Sequence, residues 1–254
     1  MDYGQSAGVA RDSFQGTETA TVPQQTAQTP VAPPGPSIPS YLEKTYHWAY
    51  LDARNAKYLD HEWIVKTILW RQHRRLEQAA VDEIEPGQHV LQSACVYGDF
   101  SKLLAGHIGP DGKLEVVDVA EVQVTNCRKK LAEFDYASVR HENVLHLRDE
   151  TVDAVCCYFL MHELPNDYKR GVAAVLLNSV RPGGKVVFVD YHKPHWAHPL
   201  KLVTSLVFDT LEPFAKDLWT KEIAEFAGYD SRYTWRKETY FGGLFQKVVA
   251  TRKS

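Results

Sequence analysis

The sequence predicts an α/β fold: a mostly parallel sheet flanked by helices and finished by an antiparallel hairpin. Three observations predict it. A short apolar run, His89 to Ala94, opens through Cys95-Val96-Tyr97-Gly98-Asp99 into helix-forming residues and then a second strand that delivers Asp118. The stretch Val152 to Leu160 is continuously apolar, as in a strand buried on both faces of a parallel sheet. Near the end, Tyr233 to Tyr240 and Leu244 to Thr251 flank the turn Phe241-Gly242-Gly243 with the alternation of a hairpin.

The elements follow in order. Residues 1–40, rich in Gln, Thr, Ala and Pro, have too little apolar surface to order themselves and read as a disordered tail. The tail has neither the basic balance of a mitochondrial presequence nor the apolar core of a secretory signal. Residues 41–85 form an aromatic cap followed by a helix, and residues 86–254 form the nucleotide-binding domain. The cap carries Tyr41, Tyr46, Trp48, Tyr50 and Tyr58, either as plain packing or as a lid over a flat hydrophobic substrate. One helix is expected from an Asp60 N-cap through Ala80, burying Trp63, Ile64, Ile68, Leu69 and Leu76.

Beyond Asp118, Val124, Cys127 and Leu131 mark a helical stripe, and a short third strand covers Ser138 to Asn143. A helix from Asn166 to Val180 stops at Arg181-Pro182-Gly183-Gly184, and Lys185 to Asp190 is the fifth strand. Leu200 to Trp219 is a long apolar helical stretch, readable as core-facing, as a lid, or as an interfacial segment with Trp196, Phe208 and Trp219 at headgroup level.

Composition narrows the function. At 254 residues and 44% hydrophobic content the chain supports one sizeable core. A net charge of −3 without a basic run argues against nucleic acid as main partner. No stretch approaches the ~18 apolar residues of a membrane span. The four cysteines, Cys95, Cys127, Cys156 and Cys157, lack C-x-x-C spacing and read as reduced residues of a cytosolic protein.

The loop Ala94-Cys95-Val96-Tyr97-Gly98 has a single glycine. A dinucleotide pyrophosphate sits against bare backbone, whereas Val96 and Tyr97 are bulky, so a phosphate-free nucleoside fits better; S-adenosylmethionine is the commonest. Ala94, Cys95, Tyr97 and Gly98 then line its site, and Asp118, followed by Val119, accepts from the ribose hydroxyls. His162 and Glu163, just past the fourth strand, are the first candidates for proton transfer or metal ligation, and Asp190, Tyr191 and His192, at the end of the fifth, the second. A plain hydrogen-bonding role stays open for each. His195 and His198 read as solvated loop residues, not in a zinc-site spacing.

Five alternating β-α units closed by a hairpin, with Arg181-Pro182-Gly183-Gly184-Lys185 before a strand, resemble the class I S-adenosylmethionine-dependent methyltransferase (Rossmann-like) fold, with a seven-stranded sheet. Within it the chain resembles the ubiquinone and menaquinone C-methyltransferases, and more closely the RquA family of rhodoquinone biosynthesis proteins. Four segments carry that likeness: Ala94 to Asp99, Phe159 to Pro165, Val189 to Pro194 with His198 to Leu200, and Lys237 to Lys247. The resemblance implies that S-adenosylmethionine donates an amino group replacing a ubiquinone methoxy group, with manganese assisting; Glu163, Asp190 and His192 are the candidate ligands for that metal. It also implies that Asn143 and Val144 stand where the adenine amine is read, and that the enzyme works at the inner face of the cell membrane. Straightforward methyl transfer to a quinone, and a non-catalytic quinone-binding role, are the alternatives.

Overall fold

A computed structural model of the chain describes residues 36–148 and 151–254, so the expected tail lies almost wholly outside the described residues. The strands are β1 (His89–Ser93), β2 (Lys113–Asp118), β3 (Ala137–His141), β4 (Val152–Tyr158), β5 (Val180–Tyr191), β6 (Tyr233–Tyr240) and β7 (Phe245–Arg252). They form one seven-stranded sheet in the order β3-β2-β1-β4-β5-β7-β6. β1 to β5 pair in parallel, and β7 pairs antiparallel with both β5 and β6. This is the α/β class, parallel core and hairpin expected from the sequence.

The helices are α1 (Ser40–Thr45), α2 (Ala53–Leu59), α3 (Glu62–Ile68), α4 (His73–Val81), α5 (Phe100–Ile108), α6 (Glu121–Lys130), α7 (Asn166–Asn178), α8 (Lys201–Thr210), α9 (Asp217–Thr220) and α10 (Ile223–Phe226). A π-helical turn, His47–Leu51, joins α1 to α2. Each face of the sheet has its own core. One gathers Leu76, Ala80, Phe100, Leu104, Ile108 and Cys127 from α4, α5 and α6; the other gathers Val172, Ala173, Leu176, Ile223 and Phe226 from α7 and α10. The central strands supply apolar residues to both, which is why Val152 to Tyr158 reads as one apolar run. Phe188, fully buried in mid-β5, anchors the second core; burial of such a ring contributes roughly 1.5–3 kcal/mol.

Several boundaries differ from expectation, each for a local reason. The single helix from Asp60 is two, because Trp70 and Arg71 adopt φ of 50° and 64° and end α3 before α4 begins. Asp60 is not its N-cap; His61 occupies that position and the Asp60 carboxylate accepts from the Gly98 amide instead. Trp63 and Ile68 face outward, at 57% and 49% exposure.

The helix before Arg181 ends at Asn178, and strand β5 already runs through Pro182-Gly183-Gly184 with an irregularity opposite Val152 and Ala154. A Cβ on Gly184 would meet the Asp153 carbonyl oxygen at 2.7 Å, so the close strand approach requires glycine there. The Leu200 to Trp219 stretch breaks between α8 and α9, where Pro213 lies. Phe208 is buried, and Trp219 packs on it with ring centroids 5.6 Å apart, so neither stands at a headgroup level; Trp196 is 79% exposed. All four cysteines are buried and free.

Candidate active site

The carboxyl ends of β1, β2, β4 and β5 open on one cavity of about 200 Å³, closed from above by residues of the cap. Open parallel sheets bind ligands there because the connections leave to opposite faces and part the loops. Ala94 after β1 and Phe159 after β4 both line it, with φ of 73° and 51°. Such conformations in residues other than glycine persist where surrounding structure enforces them, and they gather at working sites.

At one end lies Asp118. Its Oδ2 accepts from the Cys95 amide at 2.7 Å and its Oδ1 from the Ala120 amide at 2.8 Å. Each oxygen keeps a lone pair for a further donor, as a vicinal diol requires. Burial raises its carboxyl to about 6, against the pull of those amides. Ala94, Cys95, Tyr97, Asp118, Val119, Asn143 and Val144, all expected at the nucleoside, line this cavity. Asn143 spends its Oδ1 on the Leu145 amide at 3.0 Å.

Gly98 is the exception: it is absent from the lining, its amide donates to Asp60 at 3.0 Å and its carbonyl accepts from Lys130 at 2.7 Å. Its φ of 81° makes the turn possible, but its polar groups hold the cap rather than a ligand.

Toward β4 and β5 the cavity becomes aromatic and acidic. His162 and Glu163 follow β4 in a short 3₁₀ turn, both buried. His162 Nδ1 lies 2.9 Å from Asp190 Oδ1, and its backbone amide donates to Asp190 Oδ2 at 3.2 Å. Glu163 Oε1 is 3.9 Å from His162 Nε2 and accepts from the Tyr50 hydroxyl of the cap. Burial lifts Glu163 to about 8. Burial pulls His162 down, but the facing Asp190 outweighs it and carries the ring to about 9. Two adjacent buried titratable groups with raised values at the wall of a cavity are suited to moving protons.

Tyr191 lines the same wall, its ring 4.9 Å from His162. Tyr97 stacks on Tyr50 at 5.5 Å, donates to the Ala49 carbonyl and accepts from Gln123 at 2.9 Å.

His192 belongs elsewhere. Its Nδ1 is 2.8 Å from the Gly243 carbonyl and its Nε2 3.4 Å from Lys237, because residues alternate across a strand and Tyr191 takes the inward position. The expected metal set of Glu163, Asp190 and His192 is therefore not assembled. Among the described residues no three His, Cys, Asp or Glu side chains gather as a cation site, so manganese has no matching ligand set here. His195 is exposed, while His198 packs edge-on against Phe241 at 5.1 Å.

Sequence reasoning missed Glu212, Glu77 and Tyr158, which also line the cavity. Glu212 sits in the connection between α8 and α9, which Lys169, fully buried, fixes by bonding the Phe214 carbonyl at 2.9 Å and Asp217 at 3.1 Å. No local signal marks Glu212; its role comes from that long-range anchor.

Residues 90–184 match a family model described as a methyltransferase domain. Demethylmenaquinone methyltransferase of Bacillus mycoides is 29% identical over 133 residues, 50% of this chain and 55% of that one. The enzyme of the same name from Bacillus cytotoxicus is 25% identical over 178 residues, covering 68% and 71%. The chain thus spans about half the length of the first of these relatives. A crystal structure of a SAM-dependent methyltransferase from Aquifex aeolicus superposes with a TM-score of 0.54 at 19% identity, covering 79% of this chain and 98% of that one, a likeness of fold. Strand order and this structural likeness show the fold of class I S-adenosylmethionine-dependent methyltransferases, and the central part of the chain is similar in sequence to a methyltransferase domain.

Proposed function

We propose that this protein binds S-adenosylmethionine and transfers a group from it to a lipid quinone. The observation that carries this reading is the single cavity joining a diol-ready acid, Asp118, to a buried His-acid cluster walled by aromatic rings. The relatives named demethylmenaquinone methyltransferase support a quinone as acceptor.

The bound donor supplies a sulfonium-activated methyl group and an α-amine. Asp118 holds the ribose. Tyr41, Tyr50 and Tyr97 roof the cavity and exclude water, which strengthens every charge interaction inside. Glu163, held by Tyr50 and adjoining His162, receives the proton that the acceptor or the amine gives up. Asp190 fixes the orientation of His162, and Tyr191 packs against its ring.

Methyl transfer is the reading that the relatives support. A second reading is amino transfer to give rhodoquinone: the α-amine nitrogen bonds to the ring carbon, the ubiquinone methoxy group leaves as methanol, and the donor's Cα–N bond then breaks with loss of a β-proton, leaving an α,β-unsaturated acid. Tyr97 favours this reading, because its ring fills the loop wall where the methionine portion of a donor would lie and so disfavours the ordinary approach of the methyl group. No step in either reading is routed through a metal.

The substrate's apolar tail gives a reason for contact with the inner face of the cell membrane. Leu202, Val203, Leu206, Val207 and Leu211 all lie on the exposed side of α8 and its end, while Thr204 and Phe208 on the other side are buried. Exposed Trp196 and Lys193 stand just before the helix, as aromatic and cationic anchors at a lipid surface do.

Donor labelled with ¹⁵N at the α-amine and with deuterium in the methyl group, given to the purified protein with quinone acceptors, separates the readings by product mass. Deuterium in the quinone establishes methyl transfer, and ¹⁵N establishes amino transfer. Neither label, with saturable quinone binding, leaves a non-catalytic quinone-binding protein.

A further inference from the structure

The part of the cavity beneath α3 and α4 is unlike the rest. Leu59, Val65, Ile68 and Leu69 line it from above, and Tyr158 and Phe159, at the end of β4, from below. Tyr158 and Phe159 end β4, whereas Asp118 and Asn143 follow β2 and β3 on the other side of β1.

Tyr158 is 3% exposed and its ring stacks on Phe100 with centroids 4.0 Å apart. Its hydroxyl has no hydrogen-bond partner among the described residues. Buried tyrosine hydroxyls ordinarily find one, and an orphan calls for an explanation. Here the residue lines a cavity, so a bound molecule is the available partner.

We propose that the Tyr158 hydroxyl donates a hydrogen bond to a ring oxygen of the acceptor, which makes the space between α3, α4 and the end of β4 the subsite for the quinone ring. This rests on the reading of a lipid quinone as acceptor. Burial, reinforced by the nearby Glu77 carboxyl, keeps the phenol well above its ordinary pKa and so a donor at any working pH. The walls are suited to a flat, apolar ring. Ile68 and Trp48, which line the cavity yet are 49% and 43% exposed, leave an apolar edge along which a tail can leave for a membrane. The positive φ of Phe159 fixes the backbone next to Tyr158 and with it the direction of the ring.

Tyr158→Phe removes only the oxygen. With a short-tailed ubiquinone as probe, KM for quinone and its Kd by fluorescence quenching rise about tenfold, the worth of one buried neutral hydrogen bond. S-adenosylmethionine affinity by calorimetry stays within about twofold and kcat within about threefold, and the melting temperature does not fall, since the hydroxyl has no protein partner to lose. Unchanged quinone KM and Kd, where the parent protein binds quinone, overturn the subsite while leaving the functional reading intact. A drop confined to S-adenosylmethionine affinity overturns it too, by giving the hydroxyl to the donor. Absence of saturable quinone binding in the parent protein overturns the functional reading first.

Discussion

The two ends of the cavity are built on different plans. The donor end comes from consecutive strand-loop units, β1 to β3, so that Cys95, Asp118 and Asn143 are neighbours through the regular crossover of a parallel sheet. The acceptor end is assembled from residues far apart in the chain: Tyr50 meets Glu163 across 113 positions, and Lys169 holds the Glu212 connection across 48. Local sequence logic writes the first, and tertiary convergence writes the second. If the division is functional as well as architectural, substitutions at the acceptor end change turnover and leave donor binding alone, and substitutions at the donor end do the reverse.

The largest effect expected is at Glu163. Removing a positioned acid/base costs typically 10²–10⁴-fold, so Glu163→Gln lowers kcat by about that much while S-adenosylmethionine affinity, read by calorimetry, moves less than about threefold. A large loss of donor affinity in this variant would merge the two ends into one site. Next comes Asp118→Asn, which keeps one acceptor oxygen, turns an NH2 toward the other of the Cys95 and Ala120 amides and removes the charge. A charge-assisted hydrogen bond is worth about 1.5–3 kcal/mol, so donor affinity falls roughly 10–100-fold, with quinone affinity unchanged. Unchanged donor affinity would remove Asp118 from the ribose.

The same division explains what was legible beforehand. The strand-loop-helix opening at His89 to Asp118 is a periodic pattern with one glycine in its loop, and its fold follows from spacing alone. His162 and Glu163 were visible because they directly follow a buried strand. The placement of Gly98 was not: nothing local says that Asp60, from a cap 38 positions earlier, will take its amide. Nor does strand alternation reveal that Tyr191 faces the cavity and His192 the hairpin until the register of β5 against β7 is fixed. Composition leaves the apolar side of α8 open between core, lid and interface, because periodicity identifies an apolar side without saying what covers it.

A smaller, global effect follows from charge. Glu163 titrates at about 8 in the folded chain against 4.5 ordinarily, so between those values the folded state holds a proton that the unfolded state has released. Stability therefore falls as pH rises through that window. Asp118, raised to about 6, acts in the same direction at lower pH, and His162, raised to about 9, carries the loss from about 6.5 upward. Melting temperature is expected to be highest on the mildly acidic side and to decline toward pH 9. Glu163→Gln flattens the part below about 8, and Asp118→Asn only the part below about 6. In the parent protein the proposed turnover rises with pH through the Glu163 range, since the base must be free to act. A profile that Glu163→Gln leaves untouched would assign the decline to other groups.

The smallest effect on the fold is expected from the double substitution Leu202→Ser and Leu206→Ser. Both side chains are largely exposed, at 83% and 66%, so they contribute little to the core, and surface changes of this kind usually stay within about 0.5 kcal/mol of the parent. The buried side of the same helix, Phe208 against Tyr191 at 4.8 Å, is untouched, so donor binding and turnover of a short-tailed quinone in solution are unchanged. Two leucines lost from a lipid contact are a different matter, because each buried methylene is worth about 0.8 kcal/mol. Co-sedimentation with vesicles containing anionic phospholipid is expected to weaken at least about tenfold, along with turnover of long-tailed quinone embedded in them. If the melting temperature fell by many degrees instead, α8 would be packed on both sides and the acceptor end would open somewhere other than a membrane. If vesicle binding and long-tailed turnover both persisted, the exposed Trp48 and Ile68 edge would be the remaining route for the tail, and the same pair of measurements on Ile68→Ser would decide it.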